Sequence, residues 1–148
     1  MSLPPLIPVE RIISDSRSGG KRPILSELIA LLPELDASQV LDVVMVREHL
    51  GSTGIGHGVA IPHGRIPELH APLLALARHR RGIDFDAIDG KPVHIVILLL
   101  APEGGGKAHL ELLAHLARIL QQAPIREAIM NAASASEIAE LFPAPVGM

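Results

Sequence analysis

The sequence predicts an α/β protein in which helices cover both faces of a mixed central sheet, a three-layer α/β/α sandwich. Residues 93–100 are all apolar except His94; we interpret them as one continuous apolar strand buried on both faces, and such strands belong to sheets covered by helices. Apolar residues recur at helical spacing before this run, in residues 23–32 and 40–50, and after it, in residues 108–120. One sheet with helices on both sides accommodates all of these segments.

The first third of the chain is predicted to hold one short strand and two helices. Residues 12–13 form the strand, and residues 16–20 form a flexible connection rich in Ser and Gly. A helix over residues 23–32 has proline in its first turn, where helices tolerate it. The core side of this helix is expected to comprise Leu25, Leu28, Ile29 and Leu32.

Asp36 and Gln39 lie three residues apart and resemble a capping box, which opens a second helix that continues through Leu50. The core side of this second helix is expected to comprise Val40, Val43, Val44 and Leu50.

Strands and then helices fill the remainder of the chain. Strands are predicted over residues 59–61, 73–79 and 93–100, with Asp89-Gly90 as the turn before the last of them. The helix over residues 108–120 is expected to bury Leu112, Leu113, Leu116, Ile119 and Leu120. Shorter helices follow at residues 125–131, announced by Pro124, and at residues 136–141, capped by Ser134 or Ser136.

Composition bounds the class of protein. We expect a single domain over residues 1–148, with flexible termini at residues 1–8 and 143–148, because 48% hydrophobic content supports one core. A net charge of −3 and only two aromatic residues, both Phe, argue against nucleic-acid binding. The absence of cysteine, of a signal-peptide pattern and of any long apolar run predicts a cytoplasmic protein that does not insert into membranes.

The most informative segment is Gly51-Ser-Thr-Gly-Ile-Gly-His-Gly-Val-Ala-Ile-Pro-His-Gly64. Its glycines permit unusual backbone conformations and a close approach to the main chain. Pro62 biases the preceding residue toward an extended conformation, so His63 is delivered from the end of a short strand. An imidazole that is nucleophilic near pH 7, beside a bed of free amide groups, suggests anion or phosphoryl chemistry.

Other interpretations of this segment are weaker. A dinucleotide fingerprint beginning at Gly54 lacks its third glycine, because Val59 stands there, and a P-loop fails because Ala108 follows Gly106-Lys107. A metal site could draw on His49, His57, His63 and His70, but the chain has no cysteine and no H-E-x-x-H motif, so no metal is expected. An incidental histidine in a glycine-rich loop is the remaining alternative.

Three further residues are candidates for the site. Arg47, in the last turn before the glycine segment, could hold a phosphoryl group with its guanidinium or could merely complement the helix dipole. Arg65 is a weaker candidate because it could point to solvent. His109 follows Gly104-Gly-Gly-Lys107 at a helix start, which disfavours a charged imidazole, or it is a partly buried first-turn residue. We interpret His94 and His115 as structural.

The chain resembles a known family in three segments: Arg47-Glu48-x-x-Gly51-Ser-Thr-Gly-Ile-Gly-x-Gly-Val-Ala-Ile-Pro-His63-Gly-Arg65, Ile83-Asp-Phe-Asp-Ala-Ile-Asp-Gly-Lys-Pro-Val93, and His109-Leu-Glu-Leu-Leu-Ala114. They resemble the IIA proteins of the phosphoenolpyruvate-dependent phosphotransferase system, fructose/mannitol superfamily, nitrogen-regulatory branch. The resemblance covers about residues 9–142. His57 departs from it, because the family more often has a small polar residue there.

The resemblance implies a phosphotransferase that needs no cofactor, in which Nε2 of His63 accepts a phosphoryl group while His109 and Arg47 support the transfer. It implies a phosphate-supporting role for the loop and its end, namely Ser52, Thr53, Gly54, Gly64 and Arg65. The expected donor is an HPr/NPr-like phosphocarrier, and the expected output is regulation of nitrogen or other metabolism through target proteins. Two alternatives stay open: a sugar-transport IIA component that passes phosphate to a separate IIB protein, and a binding module of the same fold that is not phosphorylated.

Overall fold

A six-stranded mixed sheet lies at the centre of the computed structural model, which describes residues 5–143. The strands are β1 (Ile12–Ile13), β2 (Gly54–Gly56), β3 (Val59–Ala60), β4 (His63–Arg65), β5 (Leu73–Ile83) and β6 (Val93–Ala101). Their order is β1-β5-β6-β3-β2, and β4 also pairs with β6. β5 and β6 are antiparallel, whereas β3 and β4 both run parallel to β6.

Five α-helices surround the sheet within the described residues: α1 (Lys21–Ile29), α2 (Ala37–Leu50), α3 (Gly106–Leu120), α4 (Ala123–Asn131) and α5 (Ala135–Glu140). A short 3₁₀ helix, Val9–Arg11, precedes β1. Ser134 caps α5 by accepting a hydrogen bond from the backbone N–H of Glu137. Of the two predicted capping residues, Ser134 and Ser136, the first is therefore the one observed.

Alternate residues of β6 pack into two separate cores. Ile95, Ile97 and Leu99 join the core that α3, α4 and α5 cover. Val96, Leu98 and Leu100 join the core that α1 and α2 cover. The continuous apolar run of β6 therefore serves both faces of the sheet, which confirms the three-layer α/β/α prediction.

The buried stripe of α2 differs from the prediction at its carboxyl end. Val40, Val44 and Glu48 are buried, whereas Leu50 is 82% exposed. The prediction of Leu50 as a core residue is therefore wrong. Val40, Val44 and Glu48 follow one another at intervals of four and share one face, while Leu50 lies about 200° around the helix from Glu48.

Helix α2 begins as predicted, with Asp36 accepting a hydrogen bond from the backbone N–H of Gln39. The reciprocal half of the capping box is absent from the described residues, because the Gln39 side chain donates to Glu68 instead.

Two segments expected to be flexible are held by specific contacts. Ser16 is buried and donates a hydrogen bond to Glu27, as does Ser18. The side chain of Ile7 is fully buried, and the backbone N–H of Leu6 donates to the carbonyl of Phe142. Residues 5–8 therefore pack against the domain, which differs from the predicted flexible terminus; residues 1–4 and 144–148 lie outside the described residues.

Candidate active site

His63 is the first residue of β4, just beyond the end of β3 and close to the carboxyl end of β6. Pro62 separates β3 from β4, because a proline has no N–H to donate to the sheet, but its carbonyl still accepts a hydrogen bond from the backbone N–H of Leu99. His63 then pairs with Leu99 at the start of β4. The chain leaves β6 at Ala101 and enters α3 at Gly106, so α3 begins at the same edge of the sheet.

The ring of His63 is fixed by its own backbone. Nδ1 lies 2.9 Å from the carbonyl oxygen of Ile61. Because a carbonyl oxygen only accepts hydrogen bonds, Nδ1 carries the proton and donates it. In the neutral ring, Nε2 therefore holds the lone pair, and it forms no hydrogen bond with any of residues 5–143. The half-buried His63 thus presents its nucleophilic nitrogen on the side of the ring opposite the carbonyl that anchors it.

His109 lies directly beside His63. The two rings meet edge to face, with centroids 5.5 Å apart and planes inclined by 81°. His109 is only 4% exposed, and its Nδ1 is buried without a hydrogen-bond partner in the described chain. Burial lowers the pKa of His109, and the nearby His63 and Arg65 lower it further. His109 is therefore a neutral imidazole at pH 7.

From the sequence, Arg65 is a weaker candidate than Arg47, but in the structure Arg65 is the arginine that lies near His109. Arg65, which seemed free to point to solvent, donates to the carbonyl of Glu103 and lies near enough to His109 to lower its pKa. Arg47 donates from Nη1 to the carbonyl of Gly51 at 2.8 Å, so it satisfies the end of its own helix. In this structure Arg65 is the cation associated with the histidine pair.

The hydroxyls of the glycine-rich loop hold the loop itself. Ser52 donates to the carbonyl of Phe85 and accepts from the backbone N–H of Gly54. The Thr53 hydroxyl is buried and bonds to the Glu48 carboxylate, which also accepts from the Thr53 backbone N–H. The amides of Thr53 and Gly54 are therefore occupied, as is the amide of His57 by Asp89. The predicted bed of free amides is wrong at these three positions.

Glu48 is the residue of this region that sequence reasoning left without a role. Its carboxylate, 2% exposed, forms an ion pair with Lys21 at 3.0 Å. Burial works to lower the pKa of Lys21, but the hydrogen bonds and charges of Glu48 and Asp86 outweigh it and raise that pKa. The sequence does contain a pattern that could have predicted the burial of Glu48, because Glu48 follows Val40 and Val44 at intervals of four residues and lies on the same helix face.

Gly54 and Gly64 are required by close packing. A β-carbon at Gly54 would lie 2.8 Å from the Cβ of Ala87, and one at Gly64 would lie 2.7 Å from Cγ1 of Val43. Both distances are shorter than real contacts allow, so the loop and β4 approach their neighbours as closely as only glycine permits. The sequence predicted a phosphate-supporting role for both glycines, and their observed contacts are with the protein.

Other histidines of the chain are exposed away from this pair or form hydrogen bonds with the backbone. His94 hydrogen-bonds through Nδ1 to the carbonyl of His79, in agreement with a structural role. His49, His57 and His70 are exposed, and residues 5–143 contain no group of three or more His, Asp or Glu side chains placed to hold a metal ion. None of the helices in the described residues is long and apolar enough to cross a membrane.

A three-layer sandwich with a pair of adjacent histidines, His63 on β4 and His109 on α3, defines the class of the protein. The chain belongs to the family described as phosphoenolpyruvate-dependent sugar phosphotransferase system, EIIA 2, which it matches over residues 5–144. Proteins of this family take part in phosphotransfer. The family resemblance inferred from the motifs is thereby confirmed.

The relatives of the chain include nitrogen regulatory proteins and a sugar-specific component of the same family. The chain is 39% identical to a nitrogen regulatory protein of Bradyrhizobium diazoefficiens over 148 residues, covering 98% of this chain and 97% of the relative. A fructose-specific EIIA component of Haloferax volcanii is 36% identical over 107 residues, covering 72% and 70% of the two chains. The crystal structure of IIA-Ntr from Neisseria meningitidis superposes with a TM-score of 0.88 at 40% identity, covering 92% and 95%.

Proposed function

We propose that this protein is a phosphocarrier that accepts a phosphoryl group on Nε2 of His63 from a phosphohistidine carrier of the HPr or NPr type. The observation that carries the proposal is the hydrogen bond from Nδ1 of His63 to the carbonyl of Ile61. It fixes the tautomer, so the lone pair required for attack on phosphorus is on Nε2. Membership of the EIIA 2 family supplies the class of reaction.

The transfer needs positioning and charge compensation and little other chemistry from the protein. As the bond from Nε2 to phosphorus forms, the donor's nitrogen–phosphorus bond breaks and its electron pair stays on the donor nitrogen. His63 keeps its Nδ1 proton, so its phosphorylated ring carries the positive charge that the protonated donor ring gives up when its own nitrogen–phosphorus bond breaks. Both partners are phosphohistidines, so the step is close to thermoneutral and reversible.

The neighbours of His63 are suited to a dianionic phosphoryl group. His109, held neutral by burial, can donate an N–H to a phosphoryl oxygen. Arg65 adds a fixed positive charge beside the histidine pair. Arg47 would have to exchange its bond to the carbonyl of Gly51 for one to phosphate. Ser52, Thr53, Gly54 and Gly64 act indirectly in this proposal, because they shape the loop and strand that hold His63.

The proposed output is regulatory. The support is the nitrogen regulatory relative from Bradyrhizobium diazoefficiens and the similarity to IIA-Ntr from Neisseria meningitidis. Phosphorylation adds about −1.5 to −2 charges, by analogy with other phospho-residues, at the centre of the surface around His63. A protein that docks there would distinguish the two states. A pull-down with wild type, His63→Ala and the charge mimic His63→Glu tests this, and identical partners for all three would contradict it.

A sugar-transport role is the second candidate, because the fructose-specific relative from Haloferax volcanii matches most of the chain. In that case the phosphoryl group would pass to a separate IIB protein. Restored sugar uptake in a strain that lacks a fructose or mannitol IIA would favour transport, whereas regulation predicts no restoration.

The direct test of the phosphocarrier proposal is phosphorylation in a defined mixture. Incubation with phosphoenolpyruvate, enzyme I and a histidine phosphocarrier should add one acid-labile, base-stable phosphoryl group. His63→Ala should take up none, while His70→Ala, an exposed histidine outside the pair, should be labelled like wild type. Equal labelling of His63→Ala would contradict the proposal.

A further inference from the structure

A cavity of about 620 Å³ opens far from the histidine pair. On β5, Leu74 lies level with His63, because both pair with Leu99 of β6. The cavity is lined by the other end of β5, from His79 onward, and by residues 15–19. Five or more strand residues separate the two levels, which is about 17 Å at ~3.4 Å per residue.

One wall of this cavity is held in place by hydrogen bonds. Glu27 of α1 accepts from the hydroxyls of Ser16 and Ser18. Nδ1 of His79 accepts from the backbone N–H of Gly82, so its Nε2 carries the proton and donates to the carbonyl of Ser18. Both ring nitrogens of the neutral His79 are therefore hydrogen-bonded, and the bond to Ser18 links residues 15–19 to β5. A wall fixed in this way is formed before any ligand arrives.

The charges around the cavity differ from those of the chain as a whole. Arg17, Arg80 and Arg81 line it together with Asp15 and Asp84, which leaves one net positive charge in a protein of net charge −3. Arg17 pairs with Asp15 at 3.4 Å, but both side chains are largely exposed, and such a pair contributes little stability. Arg81 forms no hydrogen bond or ion pair with any of residues 5–143. The guanidinium groups of Arg17 and Arg81 can therefore bind an anion with little loss of existing interactions within the protein.

We propose that this cavity is a binding site for a small, non-aromatic organic anion held through its carboxylate or phosphate oxygens. The volume lies within the range of sites for small molecules, and guanidinium forks match pairs of carboxylate or phosphate oxygens. The carboxylates of Asp15 and Asp84 can accept hydrogen bonds from hydroxyl groups of the same ligand. Among residues 5–143, His79 supplies the only aromatic ring that lines the cavity, and both of its nitrogens are hydrogen-bonded to the backbone, so a nucleobase would find no stacking platform among them. The residues that line the cavity include neither His63 nor His109.

The test is an NMR titration of the ¹⁵N-labelled protein with pyrophosphate, citrate and glucose 6-phosphate at matched ionic strength. We expect saturable shifts with at least one probe, confined to the amides of residues 15–19 and 79–84. The probe that binds separates a phosphate from a carboxylate ligand. The absence of saturable binding by all three probes at millimolar concentration, or shifts centred on His63 and His109, would overturn the proposal.

Two double variants with the same change in charge distinguish specific binding in the cavity from a general electrostatic attraction of anions. Arg17→Gln/Arg81→Gln should weaken binding about tenfold or more, because each guanidinium contact is charge-assisted. Lys107→Gln/Arg118→Gln removes the same charge from exposed residues of α3 that do not line the cavity, and it should leave the affinity within about twofold. Circular dichroism verifies that both variants are folded. Equal weakening in the two variants would also overturn the proposal.

Discussion

His109 presents its ring edge to face against His63, with the ring centroids 5.5 Å apart. Two histidines at this distance repel each other when both are protonated, and burial followed by the proximity of His63 lowers the pKa of His109. The arrangement leaves His63 anchored through Nδ1 and His109 neutral beside it. In the proposed transfer, the N–H of a neutral His109 donates a hydrogen bond to a phosphoryl oxygen, and Arg65 supplies positive charge beside it.

The titration of His109 provides the first prediction. Its imidazole should titrate below the ordinary value of about 6.5 in an NMR pH series. Because the unfolded chain then binds more protons than the folded one, the free energy of unfolding should be greatest above about pH 6.5 and should decline as the pH falls through the lowered native pKa. His109→Gln should reduce this decline in urea unfolding series at pH 7.5 and pH 5.5. An unchanged pH dependence in that variant would contradict the assignment.

Removal of charge compensation should slow transfer. His109→Ala and Arg65→Ala should each lower the rate of phosphorylation by about 10²- to 10³-fold, as loss of a donor at a charge-stabilising site commonly does. Arg47→Ala should slow transfer as well if its guanidinium leaves Gly51 for the phosphate. Rapid-quench kinetics measure these rates, and circular dichroism verifies the fold.

Arg118→Ala, an exposed arginine of α3, serves as the control for these kinetics. If Arg65→Ala transfers phosphate as fast as this control, Arg65 is only a tether between β4 and the carbonyl of Glu103.

Glu48 should be a stability residue whose loss disorders the loop. Glu48→Ala leaves the partly buried Lys21 without its main partner and the Thr53 hydroxyl without an acceptor. Breaking one side of such a pair costs about 3–5 kcal/mol where both charges are buried, and somewhat less here because Lys21 keeps 16% exposure. Chemical unfolding measures the loss. Glu34→Ala, at an exposed position, should change stability by less than about 0.5 kcal/mol; similar losses in both variants would argue against a structural role for Glu48.

Gly64 provides a packing test next to the nucleophile. Gly64→Ala places a methyl group 2.7 Å from Cγ1 of Val43, so β4 or α2 has to shift, at a cost of about 1–3 kcal/mol. Val43→Ala removes the clashing atom and should recover part of both stability and transfer rate in the double variant. A double-mutant cycle measures this coupling. Additive losses would show that the methyl group is accommodated in another way.

The sequence predicted the three layers because the evidence for them is local. The apolar run of β6, the stripes of α1 and α3 and the proline before His63 are each visible within a few residues. Leu50 was predicted to be buried because it is hydrophobic, but the four-residue spacing of Val40, Val44 and Glu48 places Glu48 on the buried face of α2 and Leu50 on the exposed one. The different positions of Arg65 and Arg47 relative to the histidine pair could not be predicted, because the position of Arg65 near His109 depends on the parallel pairing of a three-residue strand, β4, with β6. No short pattern indicates that pairing.

The most direct measurement is the identity of the phosphorylated nitrogen. Two-dimensional ¹H–¹⁵N correlation spectra of the phosphorylated protein, with ³¹P detection, distinguish Nε2 from Nδ1 in each histidine. The account predicts one phosphoryl group on Nε2 of His63, with Nδ1 still protonated and bound to the carbonyl of Ile61. A phosphoryl group on Nδ1 of His63, or on His109, or none at all in the presence of an active donor, would contradict it.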